Sequence, residues 1–65
     1  MSDADAYTAR FRFRLEQEVR IVALKLPGRI IARCQKVNAV PSYEVIWWAD
    51  GQRHDEWLFE FELGE

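Results

Sequence analysis

The sequence predicts an all-β domain, a small barrel of five or six short strands. Three observations carry that expectation. Apolar and charged residues alternate with a period of two through much of the chain. Pro27-Gly28, Pro41 and Asp50-Gly51 divide it into runs of strand length. No long run sets apolar residues at i, i+3, i+4 and i+7 between helix caps. Closing a small sheet into a barrel removes the edges it would otherwise expose.

Residues 1 to 6 are small and acidic without periodicity and read as a disordered tail, which leaves residues 7 to 65 as the barrel domain. In the run from Thr8 to Leu15, Phe11, Phe13 and Leu15 alternate with Arg10, Arg12 and Arg14. That pattern predicts a first strand with a strongly basic outer face. Gln17 to Leu26 predicts a second strand, with Val19, Ile21 and Ala23 on one face and Arg20, Val22 and Leu24 on the other. Pro27-Gly28 predicts the turn that follows, because Pro fixes φ and Gly accepts the positive φ that can come next. The chain resumes as a strand with Ile30, Ala32 and Cys34 inward and Arg29, Arg33 and Lys36 outward, then loops from Asn38 to Ser42.

Tyr43 to Leu58 reads as a β-hairpin about Asp50-Gly51, a dipeptide suited to the positive φ values of a two-residue turn. All three tryptophans lie on it. Alternation assigns Tyr43, Val45 and Trp47 to the core and turns Glu44, Ile46 and Trp48 outward. Trp57 is expected to join the core near Phe59 or Leu63. Outward Ile46 and Trp48 are either covered by the N-terminal strand or form an exposed patch with Leu24 or Leu58, the mark of an interaction surface. Phe59, Phe61 and Leu63 then alternate with Glu60 and Glu62, with one short helical turn accommodated between Glu56 and Leu63. This acidic run mirrors the basic Phe11 to Leu15, and pairing the two as neighbouring strands sets arginines against glutamates.

A chain of 65 residues with a single cysteine cannot close an internal disulfide, so its nine aromatics must supply much of the core. Alternation puts Cys34 in that core. His54 and Asp55 point to opposite faces and His54 reads as a solvated hairpin residue, while no nucleophile with a matched base, Gly-rich phosphate loop or metal-ligand spacing occurs. Neither an enzyme nor a cofactor, a metal or a small-molecule substrate is therefore expected. No apolar run approaches the roughly 18–20 residues of a membrane span and the start, MSDADAY, is acidic where a signal peptide is basic, so a cytoplasmic protein with no membrane partner is expected.

Charge is unevenly placed. Residues 10 to 36 hold eight of the nine basic residues against Glu16 and Glu18, a balance of +6, whereas residues 37 to 65 set Arg53 against seven carboxylates, a balance of −6. Either basic and acidic strands pair across a sheet, or a bipolar surface meets a charged partner or a second copy of the chain.

The order LEQEVRIV, LPGRIIARC, YEVIWW, a Gly turn and DEWLFEFEL resembles the SH3-like barrels of the Tudor, KOW and type II dihydrofolate reductase kind. Glu18, Val19, Ile21, Gly28, Ile30, Tyr43, Val45, Trp47 and Leu63 occupy the matching positions, and the resemblance covers residues 15 to 63. It implies a five- to six-stranded SH3-like barrel. The reductases' Val-Gln-Ile-Tyr segment has no counterpart, Arg53-His54-Asp55-Glu56 standing there, so the resemblance to them extends to the fold and to assembly through barrel edges. A Tudor-like cage for a methylated cation needs convergent rings; Tyr43, Trp47, Trp48 and Trp57 are the candidates. KOW-like barrels bind nucleic acid or ribosome-associated protein.

Two classes of function follow. A protein-binding or self-assembling module uses Ile46, Trp48, Asp55 and Glu56. A nucleic-acid binder uses Arg10, Arg12, Arg14, Arg20, Lys25, Arg29, Arg33 and Lys36 on phosphates, with Trp48 or Phe11 stacking on bases.

Overall fold

A computed structural model describes residues 11–65. The chain forms five strands, β1 (Glu18–Ile21), β2 (Leu26–Cys34), β3 (Ser42–Ala49), β4 (Gln52–Phe59) and β5 (Leu63–Gly64), with a 3-10 turn over Glu60–Glu62. All pair antiparallel in one sheet of order β4-β3-β2-β1-β5. The domain is therefore all-β, with its one helical turn near the C-terminus. The expected tail of residues 1 to 6, and Arg10, lie outside the described residues.

The hairpin of β3 and β4 sets the register of the sheet. Asp50 and Gly51 have φ of 54° and 75°, and the pairing runs without interruption from Ala49–Gln52 to Ser42–Phe59. Positive φ at both turn residues matches the right-handed twist of the flanking strands. Tyr43, Val45 and Trp47 consequently face the core, while Ile46 and Trp48 lie on the other face.

Three features depart from the local sequence signals. The turn after β1 is Val22–Lys25, closed by Lys25 N–H donating to Ile21 O at 2.7 Å with Lys25 at φ 57°, so Ala23 and Leu24 are exposed rather than in a strand. Pro27-Gly28 lies inside β2, opposite Arg20 and Val19. Gly28 is needed there for packing: a Cβ built on it would stand 2.6 Å from Val45 Cγ1 and 3.1 Å from Ile46 O. The second departure is a bulge between Ile30 and Ala32. One extra residue reverses every later side chain. Arg33 therefore pairs with Tyr43 on the core side, while Ala32 and Cys34, expected inward, pair with Glu44 and Ser42 on the outer face.

The third departure is the N-terminal run. Residues 11–17 form bends and turns, and Glu16 has φ 69°. Only the end of the run meets β2, where Glu16 N–H donates to Ile30 O at 2.7 Å and Gln17 O accepts from Ile30 N–H at 3.0 Å; the backbone donors of Arg12, Phe13 and Arg14 go to side chains instead. Arg12 N–H meets Tyr43 Oη and Glu60 Oε2, both at 3.0 Å, Phe13 N–H reaches Tyr43 Oη at 3.4 Å, and Arg14 N–H is taken by Gln17 Oε1 at 2.8 Å. The basic and acidic runs do meet, but through these bonds and an exposed Arg12–Glu65 ion pair at 3.8 Å rather than as paired strands. Phe13 is buried and Phe11 packs on the core, whereas Leu15 is half exposed.

The core comprises Phe13, Val19, Ile21, Ile30, Tyr43, Val45, Trp47 and Leu63. Tyr43 is its centre. The rings of Phe11 and Phe13 pack edge-on against it with centroids 5.8 and 5.4 Å away, and its hydroxyl donates to Glu60 on the 3-10 turn. Burial is the main cause that raises the Tyr43 pKa above its ordinary value of 10.0, and the Glu60 hydrogen bond adds to it. Glu62 closes the same turn by accepting from Phe59 N–H at 2.7 Å. Side chains of the acidic run are thus spent on backbone donors.

Candidate binding surface on the outer sheet face

The face of the sheet opposite the core is built from four strands. Pairing sets Arg20, Pro27, Trp48 and Arg53 in one row and Glu18, Arg29, Ile46 and Asp55 in the next, followed by Glu44 with Trp57 and Ser42 with Phe59. Continuing the β2–β3 ladder by one pair beyond Arg29–Ile46 on this face brings Pro27 opposite Trp48. No described segment lies over it. Trp48 is 66% exposed, Trp57 52% and Phe59 47%, and Ile46 is half-buried between neighbours. The N-terminal run is occupied elsewhere, on Tyr43. The outward Ile46 and Trp48 are thus an exposed patch, although its neighbours are Pro27, Arg29 and Arg53 rather than Leu24, which sits in the β1–β2 turn, or Leu58, which packs on the core.

The residues expected to bind protein divide between faces. Ile46, Trp48 and Asp55 share the outer face, with Asp55 directly across from Ile46. Glu56 pairs with Val45 and belongs to the opposite side, though it stays exposed. Trp57 is not in the core, because the uninterrupted register from the turn gives β4's inward positions to His54 and Leu58. His54 is not simply solvated: it is half-buried, its ring stacked on Trp47 at 5.5 Å between centroids and 15° between planes.

The basic residues do not form one surface. Arg20 lies beyond Pro27 on β1, Arg29 is diagonal to Trp48 on β2 with its guanidinium donating to Glu16 O at 3.3 Å, and Arg53, which the sequence alone does not mark, faces Trp48 from β4. Its position follows from the turn register alone. Arg33 lies over Phe11, 4.4 Å from the ring centroid, and donates to Phe13 O at 3.2 Å, so it anchors the N-terminal run. Phe11 is correspondingly committed to Arg33 and Tyr43 rather than free to stack on a base. Arg12 and Arg14 are exposed on that run, Lys25 is in the β1–β2 turn and Lys36 follows β2 at the far end of the sheet.

Among the grooves on this face, two lie beside the exposed tryptophans. One, of about 270 Å³, runs beside Trp48 over Pro27, Arg29 and Ile46. The other, of about 340 Å³, lies between Trp57, Phe59, Val40 and Cys34 with Lys36 at its edge. The two tryptophans do not converge: Trp57 sits across from Glu44, four residues from Trp48 along β3, a separation of roughly 14 Å at strand rise. Tyr43 and Trp47 face the core. The four rings therefore do not enclose one cation. Among the described residues no three His, Cys, Asp or Glu side chains gather as a metal site, and no helix is long and apolar enough to cross a membrane. Comparison of the chain with protein-family models, curated proteins and solved structures finds no match.

Proposed function

We propose that the chain is a protein-binding module that docks an extended segment of a partner on the outer sheet face, centred on Trp48 and Ile46. The observation that carries this reading is Trp48 itself, two-thirds exposed beside Ile46 on a face that no described segment covers. Covering the exposed part of its ring is worth up to roughly 3 kcal/mol at ordinary coefficients for buried apolar area. A tryptophan with an arginine directly across the ladder, as Trp48 has in Arg53, is also the composition of a binding hot spot. The partner chemistry follows from the rows: one large apolar side chain for the groove beside Trp48, and a carboxylate within reach of Arg20, Arg29 or Arg53. The order of strands, a four-strand meander followed by a 3-10 turn and a last strand returning to β1, supports the SH3-like resemblance as the frame for such a surface.

Peptides selected from a random library on the immobilised protein provide the probe. Titrating one into labelled protein is expected to shift the amides of Ile46, Trp48 and Arg29, and Trp48→Ser to weaken binding at least about tenfold. Peptides that bind Trp48→Ser as well as wild type, or that map to the core side, would remove the reading.

The arginines around Trp48 favour a second reading, a single-stranded nucleic acid with its backbone on Arg20 and Arg29 and a base stacked on Trp48. Binding of a short mixed-sequence DNA oligonucleotide is then linear in log K against log salt, and Arg29→Ala lowers the slope by about one. Absence of binding at low salt rejects it.

A further inference from the structure

We propose that the free edge of β4 pairs with β4 of a second copy, antiparallel about a two-fold axis passing through His54. The two edges of the sheet are unlike. β5 is two residues long, whereas β4 is an eight-residue strand without proline or bulge, and no described segment pairs with its outer side. Edges of that kind are usually blunted.

Which backbone groups are free follows from the turn. A two-residue hairpin makes Ala49 and Gln52 a hydrogen-bonded pair, so Gln52, His54, Glu56 and Leu58 point their N–H and C=O at β3. Glu60 N–H donating to Pro41 O at 3.1 Å continues that alternation. Arg53, Asp55, Trp57 and Phe59 therefore point theirs outward. Phe59 N–H is already held by Glu62, so the free groups are those of Arg53, Asp55 and Trp57.

Symmetry then limits the register. With the axis perpendicular to the sheet, paired residues share a face and one residue of β4 faces its own copy. An axis at Asp55 or Glu56 sets a carboxylate against itself, and one at Arg53 sets two guanidinium groups together. An axis at Trp57 requires the Phe59 backbone that Glu62 occupies and sets Asp55 against Phe59. An axis at His54 places Arg53 opposite Asp55 of the second copy, and Asp55 opposite its Arg53, with Gln52 facing Glu56. Within one chain Arg53 and Asp55 already attract each other, 3.8 Å apart and exposed, so the pairing exchanges that contact for two between copies. Of these registers, the one about His54 alone makes the β4 edge self-complementary. The pairing uses the edge of the sheet and leaves Trp48 free, so it goes beyond the proposed docking on the outer face.

Sedimentation equilibrium from micromolar to millimolar concentration tests it. Wild type is expected to pass from monomer to dimer, and Trp48→Ser to do the same. Arg53→Asp or Asp55→Arg alone puts like charges opposite each other twice and is expected to weaken the dimer about tenfold or more, while R53D/D55R together restores it. Hydrogen exchange on wild type gives an independent readout: the Arg53 and Asp55 amides slow as concentration rises, while Gln52 and His54 do not change. A monomer throughout, a dimer indifferent to either single reversal, failure of the double reversal to recover it, or exchange at Arg53 and Asp55 that ignores concentration each overturns the pairing. A dimer lost in Trp48→Ser overturns it too, by assigning assembly to the face. A monomeric wild type leaves the peptide-docking reading standing, whereas peptides indifferent to Trp48 leave the edge pairing standing.

Discussion

Tyr43→Phe removes one oxygen from the centre of the fold. The ring stays, so the packing of Phe11 and Phe13 against it is retained. The hydroxyl accepts from Arg12 and Phe13 N–H and donates to Glu60. Arg12 keeps its second acceptor in Glu60 Oε2, and Glu60, half-buried, can take a water in place of the hydroxyl. Phe13 N–H belongs to a fully buried residue and loses its partner. An unsatisfied buried donor costs about 1–3 kcal/mol, or roughly 4–8 °C of melting temperature per kcal/mol in a domain of this size.

The same substitution changes the alkaline limb of stability. The folded-state pKa of Tyr43 is raised above the ordinary 10.0, so the folded state holds this proton more tightly than the unfolded state does. Its contribution is complete below pH 10 and declines as pH rises through the folded pKa. Urea unfolding of both proteins between pH 7 and pH 11 is the assay, because taking the difference cancels the lysines. The gap between wild type and Tyr43→Phe is expected to narrow above pH 10. A variant within about 0.5 kcal/mol of wild type at neutral pH, with a parallel alkaline limb, would show that the hydroxyl does not hold the N-terminal run.

Two further substitutions test the departures from local sequence signals. Gly28→Ala drives a methyl to 2.6 Å from Val45 Cγ1 and is expected to cost about 1–3 kcal/mol in denaturant unfolding; adding Val45→Ala should make the pair less than additive, and full additivity would count against the close approach. In the N-terminal run Phe13→Ala is expected to lose about 3–5 kcal/mol while Leu15→Ser stays within about 0.5 kcal/mol; equal losses would favour an alternating strand.

The hairpin was legible because its signals are local. Asp50-Gly51 fixes a turn and the turn fixes faces, which correctly separated Trp47 from Trp48. The same register, carried across the turn, excludes Trp57 from the core, but reading Trp57 by its bulk obscured that. Pro27-Gly28 misled for the opposite reason. As a dipeptide it signals a turn, yet Gly28 serves a contact with Val45 that sequence distance hides, while the real turn, Val22–Lys25, has no proline or glycine. The bulge at Ile30–Ala32 carries no compositional mark, and it exchanged the places of Arg33 and Cys34. In the Phe-Arg alternation the apolar residues do turn inward as far as Phe13. A ladder does not form because Tyr43 and Glu60, some thirty and forty-eight residues away from their Phe13 and Arg12 partners, take the backbone donors.

The outer face as a working surface rests on Trp48, and urea unfolding of Trp48→Ser tests it most directly. A ring two-thirds in solvent contributes little to the fold, so the variant is expected to unfold within about 0.5 kcal/mol of wild type. A loss of about 3 kcal/mol or more, the size expected when a buried tryptophan is truncated, would mean that Trp48 is covered and that the face is part of the scaffold.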